Sequence, residues 1–207
     1  MTTYFDQKAA VWDQNPMRTE RASAVAATIR ERIPLSSATN AFEYGCGTGL
    51  LSFALQQTGL AGQVTLADNS EGMLAVLADK IRAGGVGTMH PLLLDLSCDA
   101  LPAQRFDLIY TLLTLHHIRE TRPILAAFYE LLAPGGWLAL ADLDQEDGTF
   151  HEEPFDGHFG FPRAAMRAEL SELGFSNIHF DTPYTMLKTR DGRPHSYPLF
   201  LVTACKA

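Results

Sequence analysis

Cysteine is scarce. The 207 residues hold three, Cys46, Cys98 and Cys205. They are far apart, odd in number and contain no CxxC pair, so neither a disulfide framework nor a zinc site is signalled, and no metal is expected. Free thiols fit a reducing cytoplasm. Cationic residues are also few: 16 Lys and Arg stand against 24 Asp and Glu, a formal charge of −8. No basic run of five or more occurs. Nonspecific affinity for a phosphate backbone comes from clustered Lys and Arg, so nucleic acid is not an expected partner. No stretch approaches the roughly 18 consecutive apolar residues of a membrane span. The opening Met-Thr-Thr-Tyr-Phe-Asp-Gln-Lys has no apolar signal region. Internal repeats and low-complexity tracts are missing too. What remains is 46% hydrophobic and 19% charged, which is ordinary for a globular chain. The length fits one domain over residues 1–207, with room for a substantial core.

The informative stretch is Ala41-Phe42-Glu43-Tyr44-Gly45-Cys46-Gly47-Thr48-Gly49-Leu50-Leu51. An apolar run enters it and a helix-like pattern leaves it, which reads as strand, glycine turn, helix. Three glycines at alternate positions leave one side of the turn without Cβ atoms, so a ligand can lie against backbone. The helix that follows opens with free amide donors and partial positive charge. The dinucleotide fingerprint GxGxxG would need a glycine where Leu50 stands. Glu43, two residues before the first glycine, would repel a pyrophosphate. A ligand with an amino acid end suits the pattern better.

Glu43-x-Gly45-x-Gly47-x-Gly49 resembles the first motif of the class I S-adenosylmethionine-dependent methyltransferases. The resemblance implies a Rossmann-like α/β fold. Its sheet would have seven mostly parallel strands, helices on both faces and an antiparallel last strand. It also implies that Glu43, Gly45, Cys46, Gly47 and Gly49 touch S-adenosylmethionine, with S-adenosylhomocysteine as product. Cys46 by itself reads as a small space-filling residue.

Downstream residues fall where that family needs them. Gln63 to Ala67 reads as a short strand, ending in Asp68 with Ser70 as a helix cap. Asp68 stands 23 positions after Gly45. An acidic residue about 20 residues on, closing the second strand of such a unit, accepts from ribose hydroxyls. By resemblance, Asn69 and Met73 lie near the adenine. His90 to Leu96 reads as the third strand. Asp95 inherits the family's contact to the adenine amine, and the Leu96 amide the contact to a ring nitrogen. Arg105 to Thr111 is the fourth strand, its Phe-Asp-Leu-Ile a family word; Thr111 and Leu112 would line the methionine arm. Arg122 to Leu132 is a helix stopped by Ala133-Pro134-Gly135-Gly136. Trp137 to Asp142 is the fifth strand, and Leu-x-Pro-Gly-Gly before an apolar strand is again a family word. Alternation of strands and helices through about residue 142 argues for a parallel sheet, with ligands at the carboxyl ends of its strands.

The flanks are less specific. Residues 1–35 read as two helical pieces, Asp6 to Asp13 and Arg18 to Ile33. The resemblance makes them a lid over the cofactor with Phe5 and Trp12 as lid aromatics. Arg18 and Arg21 either pair with the cofactor carboxylate or, the favoured reading, lie on a solvated helix face. Ser36 to Asn40 is a polar connector. Residues 144–161 form a long acidic and aromatic insertion, expected to face substrate. His151 and His158 could accept a proton, or bind a metal with Glu152 or Asp156, yet each reads first as a surface residue. Adjacent histidines such as His116 and His117 point in different directions from a helix and cannot easily share a metal. Two last strands, 177–182 and 199–204, flank a polar and flexible connection at 188–194.

The expected activity is therefore methyl transfer to a small-molecule acceptor by a cytoplasmic monomer or homodimer, without nucleic acid or membrane. If the acceptor needs deprotonation, His117 and His151 are the candidate bases. Two alternatives stand beside it: an NAD-type nucleotide-binding oxidoreductase, and a non-catalytic S-adenosylmethionine-binding protein.

Overall fold

The computed structural model describes residues 2–36, 39–60, 62–151, 154–190 and 192–207. Ser37 and Ala38 of the expected connector, and Glu152 of the expected insertion, lie outside them. The chain runs α1 (Thr2–Lys8), a 3-10 turn (Ala9–Gln14), α2 (Pro16–Arg32), β1 (Ala41–Tyr44), α3 (Leu50–Gln57), β2 (Val64–Asp68) and α4 (Glu71–Gly84). It continues through β3 (Met89–Leu93), β4 (Phe106–Leu112), α5 (Thr121–Leu131), β5 (Leu132–Leu143), α6 (Arg163–Glu172), β6 (Phe175–Arg190) and β7 (Arg193–Lys206).

The seven strands form one sheet in the order β3-β2-β1-β4-β5-β7-β6. β1 lies at its centre, parallel to β2 and β4. β7 is antiparallel to both β5 and β6. All four residues of β1 are buried, as a central parallel strand covered on both faces requires. Side chains alternate between those faces. Ala41, Leu66, Leu108, Tyr110 and Ala139 pack with Val25, Ile29, Leu51 and Leu77 from α2, α3 and α4. Phe42, Tyr44, Ile109, Leu138 and Leu140 pack with Ile124, Phe128 and Leu131 from α5 and with Met166 and Leu170 from α6. Large side chains such as Phe42 and Phe128, both fully buried, each contribute about 1.5–3 kcal/mol of burial free energy.

Several boundaries differ from the sequence reading; β3 ends at Leu93 rather than Leu96, and the first helical piece starts at Thr2 and turns 3-10 at Ala9. α2 starts at Pro16 rather than Arg18, because Asn15 caps it, its side chain accepting from the Met17 amide at 3.1 Å, and Pro at the first helical position suits its fixed φ. β5 starts at Leu132, before the Pro-Gly-Gly turn, with an irregularity opposite Phe106 and Leu108. The closing hairpin is far longer than expected: β6 and β7 stay paired out to Arg190 and Arg193. The flexible connection at 188–194 is thus replaced by strand ends, apart from Asp191, which lies outside the described residues. Its polar residues are spent on the neighbouring insertion: Lys188 Nζ donates to Phe150 O at 2.9 Å and Arg190 Nε to Thr149 O at 2.9 Å. Among the described residues, no helix is long and apolar enough to cross a membrane.

Candidate functional site

The glycine turn lies between the carboxyl end of β1 and the start of α3. Gly45, Gly47 and Gly49 all adopt left-handed φ, at 69°, 53° and 81°. Two of them are glycine because the protein packs against them. A Cβ on Gly45 would lie 2.3 Å from the Thr114 side chain, and one on Gly49 would lie 2.6 Å from Leu77. Gly47 differs: its nearest neighbour would be Met73 Sδ at 4.0 Å. Its outer side is therefore open. The turn is pinned from below by β2. The Gly45 and Cys46 amides donate to Ala67 O at 2.8 and 3.0 Å, and the Gly47 amide donates to Asp68 Oδ2 at 2.7 Å.

Glu43 points into this turn and is only 2% exposed. Ser52 donates to its carboxyl, and Ser52 Oγ shares a further hydrogen bond of 2.5 Å with the Tyr110 hydroxyl. Burial pushes the Glu43 carboxyl up to about 8, with the Ser52 hydrogen bond working against that rise. Glu43 is thus mostly protonated at neutral pH. Burial also raises Asp68, although the Gly47 and Ser70 amides oppose it. Asp68 Oδ1 accepts from the Ser70 amide at 2.9 Å.

These groups line one open cavity, the concave kind of surface that small-ligand sites use. Glu43, Gly45, Cys46, Gly47, Asp68, Asn69, Met73 and Leu112 all border it. Gly49, Asp95, Leu96 and Thr111 do not. Asp95 borders a shallower neighbouring pocket with Asn69, and Asn69 Nδ2 joins the two by donating to Asp95 Oδ2 at 2.9 Å. Burial works to raise the Asp95 carboxyl, but hydrogen bonds from Ser97 and Asn69 hold it below the usual carboxylate range. The Leu96 amide already donates to the Tyr44 hydroxyl at 3.2 Å. Thr111 Oγ1 is buried without a partner among the described residues.

The amino-terminal segment forms one wall. Phe5, Trp12, Arg18 and Arg21 border the cavity, so the two arginines do not lie on the solvated helix face favoured from sequence. Carboxylates of this segment fasten it to the turn. Asp6 Oδ1 accepts from Ser70 Oγ at 2.5 Å and from the Gly72 amide at 2.9 Å. Asp13 accepts from Thr48 Oγ1 at 2.5 Å and from Lys80 Nζ at 2.6 Å. Leu113, Thr114 and Ile118, which sequence reasoning did not single out, complete the wall beyond β4. Leu113 holds φ at 54°, an uncommon conformation for a branched side chain. Thr114 was findable in principle, since the close approach at Gly45 demands some partner, but nothing local names it.

The histidines divide by role. His116 is buried, its Nδ1 2.7 Å from Asp142 Oδ1, on a 3-10 turn (Leu115–His117) rather than an α-helix. Burial would raise the fully buried Asp142 carboxyl, but His116 and backbone amides outweigh it and hold it down. His117 borders the cavity, and its Nδ1 has no partner among the described residues. Burial, then the neighbouring His116, pushes His117 down to about 3. His151 stacks on Phe155 at 3.6 Å, and burial followed by His116 lowers it to about 4. His158 Nε2 lies 2.9 Å from Ile118 O, and Asp156 pairs with Arg119. No described residue of 144–161 borders the cavity. The insertion reaches the cavity lining through His158 on Ile118 O and through ring contacts, His151 lying 5.8 Å from His117. Among the described residues, no group of three His, Cys, Asp or Glu could hold a metal ion.

Residues 41–136 match the family described as a methyltransferase domain. The match covers the glycine turn, Asp68, Asp95 and β4. The chain is similar to the demethylmenaquinone methyltransferase of Listeria welshimeri, 28% identical over 127 residues that cover 59% of this chain and 52% of that protein. The chain spans about half the length, or less, of the curated relatives it matches. In fold, it is similar to an S-adenosylmethionine-dependent methyltransferase from Aquifex aeolicus, with a TM-score of 0.71, 18% identity and 98% of each chain covered. It is also similar to phosphoethanolamine N-methyltransferase 2 of Haemonchus contortus in complex with S-adenosyl-L-methionine. There the TM-score is 0.71 and the identity 16%, over 87% of this chain and 52% of that one. The sheet order with one antiparallel strand is thus the Rossmann-like fold of methyltransferases.

Proposed function

We propose that this chain transfers the methyl group of S-adenosylmethionine to a small-molecule acceptor and releases S-adenosylhomocysteine. One observation carries the reading. Bare backbone at Gly47, a buried acid at Glu43 and the Asp68 carboxylate converge on one cavity at the carboxyl ends of β1 and β2. That is where ligands of open α/β sheets bind.

The donor set suits this cofactor. An ionised carboxylate offers about four lone-pair sites, and Asp68 spends two on the Gly47 and Ser70 amides. Two remain for vicinal ribose hydroxyls. Glu43 can give up its proton and pair with an ammonium group. Asn69 and Asp95 flank the adenine side, and Met73 supplies an apolar, polarisable surface beside Gly47. When bound, the cofactor supplies an electrophilic methyl group on a positively charged sulfur. The chain's part is alignment and exclusion of water, and Leu112, Leu113 and Ile118 give that side of the cavity an apolar wall. His117 stays neutral in these surroundings. It suits a hydrogen bond to the acceptor better than the role of a strong base, because a group held at about 3 binds a proton weakly at neutral pH. An acceptor that is already nucleophilic or ionised needs no base. The free thiols suit work in the cytoplasm.

Calorimetric titration tests the reading. S-adenosylmethionine and S-adenosylhomocysteine should bind and NAD should not. NAD binding without S-adenosylmethionine binding would overturn the assignment. Bound cofactor with no methyl turnover on any acceptor tried would favour a non-catalytic binding protein.

A further inference from the structure

Among the described residues, Arg21 has no carboxylate partner. It lies on α2 and borders the cavity, and no acidic side chain among the described residues lies within 4.0 Å of its guanidinium. Its Nε is buried with no hydrogen-bond partner among the described residues, and Nη1 reaches only Met186 Sδ, at 3.6 Å. A buried cationic donor left unsatisfied is costly. Burial, and then the nearby Arg18, pull Arg21 down to about 10, still charged at neutral pH. Arg18 cannot relieve it. One of its own nitrogens donates to Trp12 O at 2.6 Å, and its guanidinium lies 3.6 Å over the Trp12 ring. The cavity thus holds two guanidinium groups. Facing them are one mostly protonated acid, Glu43, and one carboxylate, Asp68, already tied to backbone amides.

Position decides which anion this charge serves. Asp68 and Asp95, the groups proposed for the adenosine, lie on the β2 and β3 side of the glycine turn. Arg21 lies on the other side. Its electrostatic neighbours are Asp142 at the end of β5 and Tyr184 on β6, and Met186 is on β6 as well. In the order β1-β4-β5-β7-β6, the end of β5 is two strands from the glycine turn, about 10 Å at the usual strand spacing. On the methyl-transfer reading, that is the side left for the acceptor. The walls nearby are Phe5, Trp12, Leu113 and Ile118.

We propose that the methyl acceptor is a small organic anion, with its carboxylate or phosphate held by Arg21 and its apolar body against Phe5 and Trp12. A guanidinium fork presents paired donors that match either oxyanion. This rests on the methyl-transfer reading and adds the acceptor's chemical class to it.

The test uses the full chain saturated with S-adenosylhomocysteine. Benzoate, phenyl phosphate and the neutral benzamide are titrated against Trp12 fluorescence and by calorimetry, and each titration is repeated without S-adenosylhomocysteine. At least one of the two anions should bind, and benzamide at least tenfold more weakly. Arg21→Met should cost the anion tenfold or more while leaving S-adenosylhomocysteine affinity unchanged. Arg21→Lys, which keeps the charge and loses the fork, should fall between, and it serves if the methionine variant does not fold. Benzamide binding as tightly as the better-bound anion, no binding of either anion, or an unchanged affinity in Arg21→Met would overturn the proposal. So would loss of S-adenosylhomocysteine with anion binding intact, which would make Arg21 a partner of the cofactor's own carboxylate. Failure of the wild-type chain to bind S-adenosylhomocysteine would refute the methyl-transfer reading instead; the titrations on the unloaded protein would still decide the fate of Arg21.

Discussion

Glu43 supports a quantitative prediction about protons. Its carboxyl is raised to about 8, so at pH 7 roughly nine molecules in ten of the empty protein hold that proton. An ammonium group placed against Glu43 favours the ionised form. Binding S-adenosylhomocysteine at pH 7 should therefore expel close to one proton, about 0.9 if the carboxyl falls well below 6 in the complex. Affinity should climb about tenfold per pH unit from roughly 5.5 to 7.5 and level off above 8, since each unit is about 1.4 kcal/mol. Calorimetry in two buffers of different ionisation enthalpy measures the proton directly. Glu43→Gln keeps the volume and the Ser52 contact but has no proton to lose, so both the release and the slope should vanish. The empty protein gives an independent check. The folded carboxyl lies above its usual 4.5, so its contribution to stability is full below about 4.5 and is lost as pH rises through about 8. The whole shift corresponds to about 5 kcal/mol at most. The wild type should melt lower at pH 9 than at pH 6, by a margin that Glu43→Gln reduces. A proton count near zero, or the same slope in the glutamine variant, would refute the argument.

Asp68→Ala should weaken S-adenosylhomocysteine binding at least tenfold, about 1.4 kcal/mol; unchanged affinity in a titration would put the ribose elsewhere. Gly45→Ala forces a Cβ to 2.3 Å from Thr114 at φ 69° and should cost about 1–3 kcal/mol of stability, read as a lower urea midpoint. Asp142→Ala strands the buried His116 and should cost about 3–5 kcal/mol. The Asp142 carboxyl is held below its usual 3.8, so in the wild type its stabilisation is present above 3.8 and is lost as pH falls through the folded value. Urea midpoints of the two proteins should therefore converge in strong acid.

Much of the site could be read from the chain because its groups are local. Gly45, Gly47 and Gly49 announce a turn at fixed spacing, and Asp68 follows a short strand that any alternation of strand and helix would place beside it. The fold through residue 142 was legible for the same reason. Arg21 was not, because a helix of low amphipathicity such as α2 does not say which flank meets a cavity at the carboxyl ends of β1, β2 and β4. Thr114 was hidden because its contact with Gly45 spans 69 residues. The hairpin length was missed because Lys188 and Arg190 look like loop residues until Phe150 and Thr149 offer them carbonyl groups. The insertion at 144–161 was assigned to the cavity by length and composition. Its aromatic rings instead pack behind His116 and His117.

The wall made by Phe5 and Trp12 is fastened by oppositely charged or hydrogen-bonded pairs, Asp13 with Lys80 and Asp6 with Ser70 and Gly72. Lys80 and Asp13 are each about a third exposed, within reach of dissolved ions. Raising ionic strength weakens such a clasp and leaves the apolar layers beneath it untouched. Salt should therefore shorten the residence of bound molecules before it lowers the melting point, which stopped-flow release and thermal melts at rising salt would show.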